Sequence, residues 1–86
     1  MHRMSTPTEN SMPLTDALEG DKLELVEIRG GFELRHRLTE MSLRVGATFT
    51  LTSRVRSGPY MIQAKGTKFM LGRGMIDRLF VRRVAL

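Results

Sequence analysis

Residues 30–46 read GGFELRHRLTEMSLRVG, and residues 48–55 just after them read TFTLTSRV. In the first stretch Leu34, Leu38 and Met41 fall at i, i+4 and i+7, which is the spacing of a helix stripe. In the second, Phe49, Leu51 and Val55 alternate with Thr48, Thr50, Thr52 and Arg54, which is the period of a strand with one buried face. A lone short helix cannot bury its stripe by itself and needs a sheet to lie against.

Working outward, the flanks supply strands. Lys22–Arg29 reads KLELVEIR. Leu23 and Leu25 share one face, whereas Val26 and Ile28 share the other, so the phase changes inside the strand. A β-bulge is the simplest way to bury both pairs. Gly30-Gly31 then breaks the strand and lets the chain turn into the helix. Within the helix Glu33 and Arg37 are spaced for an i,i+4 ion pair. Downstream, Ser57-Gly58-Pro59 is a hairpin turn signal. Tyr60, Ile62 and Ala64 alternate with polar or outward neighbours, Gly66-Thr67 marks a second tight turn, and Phe69 and Leu71 point inward with Lys68 and Met70 outward. Residues 72–78, GRGMIDR, read as a loop or single helical turn, and Leu79–Val84 as the last strand. Upstream, Leu14–Leu18 is a short apolar element before a turn at Glu19-Gly20-Asp21. The pattern predicts a mainly β domain, a small five-stranded barrel with one short helix between strands one and two. Residues 1–13 read as a disordered tail and residues 14–86 as the folded domain.

Size and composition limit what such a chain can do. With 86 residues it forms one domain with a modest core. It has no cysteine, which excludes disulfides and thiolate metal sites. The first residues, MHRMSTPTENSMP, lack the apolar run of a signal peptide, and a cytoplasmic protein is expected. The net charge of +5 is unevenly spread. Residues 1–43 carry five Lys/Arg against eight Asp/Glu, and residues 44–86 carry nine against one. A basic half can face nucleic acid, or it can simply keep outward strand positions solvated.

Catalysis needs a fixed cluster of base, nucleophile or metal, and no such set is visible. His36 and Glu40 are i,i+4 neighbours, but two ligands fall short of the three or four that zinc takes. Asp16, Glu19 and Asp21 lack the ligand order of a calcium loop. Gly72-Arg73-Gly74 is not followed by the Gly-Lys-Ser/Thr of a phosphate loop. Neither an enzyme nor a cofactor is expected. Met61, Met70 and Met75 fall on or near outward positions, as in adaptable partner surfaces and also in ordinary gap-filling.

The order of these features resembles the FeoA family of bacterial ferrous iron transport. The matching positions are Gly31 and Glu33, Leu38, Met41, Leu43, Gly46, Gly58 and Pro59, Gly66 and Thr67, Phe69 and Leu71, and Leu79 and Val81. They extend over about residues 14–84. The resemblance implies an SH3-like barrel that acts as a non-enzymatic accessory, docking on a membrane ferrous iron transporter with a cytoplasmic GTPase domain. A similar module forms the C-terminal domain of DtxR-type metal repressors. Two positions depart from the family pattern. Ser42 stands where the family has a helix-ending Gly, and Val45 where it has Pro before Gly. If the family backbone is kept, Ser42 is left-handed.

The expected partner surface is the helix end and the turn after it, with Met41, Leu43, Arg44 and Arg37. Leu34 and Leu38 are expected to face the barrel, and Arg35, Arg37 and Glu40 the solvent. A small basic β-barrel that binds nucleic acid is the competing reading. It lacks an aromatic ladder, having one Tyr and no Trp, and no nucleic-acid or small-molecule partner is expected.

Overall fold

The computed structural model describes residues 11–84. The strands are β1 (Met12–Pro13), β2 (Lys22–Ile28), β3 (Thr48–Arg54), β4 (Tyr60–Ala64), β5 (Thr67–Leu71) and β6 (Leu79–Arg83). Helix α1 (Phe32–Glu40) lies between β2 and β3, and a single turn, α2 (Arg73–Ile76), between β5 and β6. All pairings are antiparallel, in the order β1-β6-β2-β3-β4-β5. Residues from both ends of the sheet, Met12 and Leu71, join the same core cluster, so the sheet curls into an SH3-like barrel around it.

Six strands form where five were expected. The addition is β1, in which Met12 pairs with Val81 and Pro13 with Phe80. Of the segment expected as a disordered tail, residues 1–10 lie outside the described residues. Two residues give no periodicity to read, and Pro13 marks the edge position to which proline is confined in sheets.

The phase change in β2 has its physical cause at Val26. The register against β6 shifts between Leu25 and Glu27, leaving Val26 as the extra residue of a bulge. Leu23, Leu25 and Ile28 thereby all reach the core. A second bulge between Leu51 and Ser53 bends β3, and the Thr52 hydroxyl donates to the Met61 carbonyl at 2.9 Å. Val55, expected to point inward at the end of this strand, instead lies past it and is half exposed. The β4–β5 hairpin closes through Lys65 and Gly66, both at positive φ (51° and 79°), between the paired Ala64 and Thr67. That is the two-residue turn whose twist suits a hairpin.

Leu38 is fully buried and Leu34 and Met41 pack against the core from α1, as the stripe predicts. Gly30 makes this fit possible, since a Cβ there would stand 2.4 Å from the Leu34 Cδ2. From the chain before β2, Leu14 and Ala17 close one end of the barrel.

Candidate docking site

Helix α1 ends in a closed geometry. The Leu43 amide donates to the Leu38 carbonyl and the Ser42 amide to the Thr39 carbonyl, each at 2.9 Å. These two bonds form a Schellman motif. Ser42 occupies its left-handed position with φ 64°, as expected from the Gly it replaces. The motif folds Leu43 back over Leu38, and both side chains have no exposed surface.

Leu43 is therefore a core residue and not part of a docking surface. Its place after the helix end suggested exposure, but the left-handed turn reverses the chain direction. Met41 is half-buried against the core. Arg44 and Val45 are exposed and open the next turn, where the Ala47 amide donates to the Arg44 carbonyl at 2.8 Å and Gly46 takes φ 99°. The turn is fixed to β2 by bonds between Gly46 and Leu25 (2.7 Å) and between Leu25 and Ala47 (2.8 Å). Beside it lies a basin of about 630 Å³ lined by Ser42, Arg44, Val45, Thr48 and Lys65.

Arg37, the fourth expected docking residue, does not join this basin. It lines a separate cleft of about 570 Å³ between α1 and α2, together with Phe32, Leu34, Met75 and Arg78. Phe32 is 86% exposed, well above the other exposed large apolar side chains. Sequence periodicity missed this cleft because its second wall, α2, comes from the far end of the chain. Its one local signal was Phe32, a large aromatic off the buried stripe of its own helix.

The uneven charge resolves into pairs across neighbouring elements. Arg82 on β6 meets Glu24 on β2 at 2.7 Å, and Arg83 meets Asp21 at 3.0 Å. Arg29 pairs with Glu27 at 3.0 Å and stacks over the Phe80 ring, 4.0 Å from its centroid. Arg54 donates to the Ala17 carbonyl, and its own amide donates to Glu19 at 3.0 Å. Arg73 pairs with Asp77 at 3.6 Å. Asp21 accepts a 2.8 Å bond from the Leu18 amide; that bond, with Arg83 beside it, holds the carboxyl below the usual carboxylate range. Two of the nine Lys/Arg of residues 44–86, Arg82 and Arg83, are thus paired with acids of the other half.

The expected Glu33–Arg37 pair is not among the ion pairs of the described residues; on α1 His36 meets Glu40 at 3.5 Å instead. Arg35 is exposed as expected, and it also donates to the Ile28 carbonyl at 2.8 Å, tying the helix to the end of β2. Among the described residues Arg37 and Arg44 have no carboxylate within ion-pair distance. No three His, Cys, Asp or Glu side chains among those residues stand close enough to hold a metal ion. No helix there is long and apolar enough to cross a membrane.

Comparison with known proteins agrees with this architecture. The profile of the FeoA domain matches residues 12–83. A protein of Methanocaldococcus jannaschii, provisionally named Fe(2+) transport protein A, is 30% identical over 69 residues, 80% of this chain and 83% of its own length. The crystal structure of an iron uptake regulatory protein, FeoA, superposes with a TM-score of 0.80 at 35% identity, covering 86% of this chain and 99% of the other. The manganese-activated repressor ScaR superposes with a TM-score of 0.75 at 22% identity, over 85% of this chain and 35% of its own, and shares the fold.

Proposed function

Since the chain belongs to the FeoA domain family, we propose that it is a non-enzymatic accessory of ferrous iron transport. It acts in the cytoplasm by docking on the GTPase-bearing membrane transporter. The observation that carries this reading is the exposed side of α1 and its following turn. There Arg44 is a guanidinium group without a carboxylate partner among the described residues, set beside exposed Val45. Apolar anchors next to unpaired arginines are the composition of protein interfaces. A relative named for Fe(2+) transport supports the process, and the exposed surface is consistent with docking.

The test is binding of the purified chain to the purified transporter reconstituted in nanodiscs, read by calorimetry. A 1:1 complex is expected, weakened several-fold by Arg44→Glu. Absence of binding, or an Arg44→Glu variant that folds and binds as well as wild type, counts against this surface.

Against the nucleic-acid reading, Arg82 and Arg83, two of the nine Lys/Arg of residues 44–86, are paired with Glu24 and Asp21. Binding to generic duplex DNA should be weak and should vanish as salt rises.

A further inference from the structure

The cleft between α1 and α2 has three glycines in its walls, Gly31, Gly72 and Gly74. Gly31 and Gly72 are the N-caps of α1 and α2, where glycine is ordinary, whereas the fold does not account for Gly74. A Cβ built at any of the three meets no atom within 4 Å, and none has the positive φ that favours glycine. At Gly74, inside α2, alanine would suit the helical turn better than glycine. Gly30, one residue before Gly31, is the contrast, because a Cβ there would collide with Leu34. Bare walls that internal packing does not require leave room for backbone arriving from outside.

The remaining lining says what that backbone carries. Phe32 stands 86% exposed at the rim, and Leu34 and Met75 are half-buried against the core. Such a combination of a rigid aromatic and a pliable methionine suits an apolar side chain. Two arginines open on the same space. Arg37 has no carboxylate partner among the described residues, and Arg78 makes only a long 3.5 Å bond to the Arg29 carbonyl. Glu33 is the one acid in the lining. The arginines of β6, by contrast, have found their carboxylates.

We propose that this cleft receives an extended segment of the partner in which an apolar side chain is followed closely by a carboxylate. The apolar group packs on Phe32, Leu34 and Met75, the carboxylate meets Arg37 and Arg78, and the segment's backbone runs against the glycine walls. This rests on the transporter-docking reading and adds a second contact, on the opposite side of α1 from Arg44.

The experiment compares nanodisc-reconstituted transporter binding by wild type, Phe32→Ala, Arg78→Glu, Gly74→Ala and Lys68→Glu. Lys68 lies on exposed β5 and controls for the change in net charge. Thermal melting of each variant is recorded alongside. The expected result is a loss of tenfold or more for Phe32→Ala and Arg78→Glu, with Lys68→Glu unchanged. Gly74→Ala should melt at the same or higher temperature and yet bind more weakly, a combination that a purely structural glycine does not give. Wild-type affinity in Phe32→Ala, Arg78→Glu and Gly74→Ala, while Arg44→Glu weakens binding, overturns the cleft and leaves the docking reading standing. Equal losses for Lys68→Glu and Arg78→Glu reduce the effect to net charge and overturn it too. No binding by wild type ends both.

Discussion

The two ends of α1 are built on opposite principles. At its C-terminal end every group is used: the Schellman bonds close on Leu38 and Thr39, Ser42 accepts a left-handed backbone, and Leu43 fills the core. At its N-terminal end Gly31 offers no side-chain cap, Phe32 stands in solvent, and a cleft stays open toward α2. At the first end the turn is closed on the core and only Arg44 and Val45 beyond it stay exposed; at the second the helix itself leaves a cleft open. The sequence motif shared with relatives spans both, so resemblance alone does not tell them apart.

Core truncation at the closed end is the strongest way to break the contrast. Leu38→Ala and Leu43→Ala should each cost about 2–5 kcal/mol in urea unfolding, a large part of a small domain's stability. Phe32→Ala, at the open end, should stay within about 0.5 kcal/mol of wild type. A large loss at Phe32 would mean that it is packed and that the cleft is part of the fold.

A smaller effect comes from the acid side. The folded state holds the Asp21 carboxyl below its ordinary value of about 3.9 through the Leu18 amide and Arg83. The unfolded chain then binds its proton first as pH falls. The stabilisation is full above that ordinary value and is lost as pH drops through it toward the folded value. Asp21→Asn should therefore lower the melting temperature at pH 7 and flatten its decline below about pH 4. An unchanged acid limb would show that the bonds of Asp21 to Leu18 and Arg83 contribute nothing to stability.

Ser42→Gly is subtler and has the opposite sign. A non-Gly residue at φ 64° carries strain on the order of 1 kcal/mol. Glycine relieves it but adds freedom to the unfolded chain. The expected net is a gain of a few tenths to about 1 kcal/mol, seen as a rise in melting temperature. A fall would show that the closed end of α1 is not held by this turn.

No change at all is expected when ferrous iron is added anaerobically. Calorimetry should find no site tighter than about 1 µM, equivalent to about −8 kcal/mol. A stoichiometric site below that value would move the function from docking to metal handling.

Much of this molecule is written in short-range patterns. Alternation marked β3, β4 and β5, and the phase change in KLELVEIR marked the bulge at Val26. Both depend on residues within a few positions of one another, because backbone period is local, whereas the left-handed turn at Ser42 was implied by the resemblance, in which the family has Gly. What no local pattern carried was direction in the assembled barrel. Leu43 went inward because the turn at Ser42 doubles back over Leu38. Arg37 and Arg44 parted because the helix ends between them and the left-handed turn at Ser42 redirects the chain before Arg44. Met12–Pro13 became a strand only when β6 arrived to pair with it, and Arg82 found Glu24 only when β6 lay beside β2. The cleft needed α2, some forty residues from Phe32 in sequence, to supply its other wall. Those outcomes are set by which distant segments share the core, and only the tertiary structure decides that.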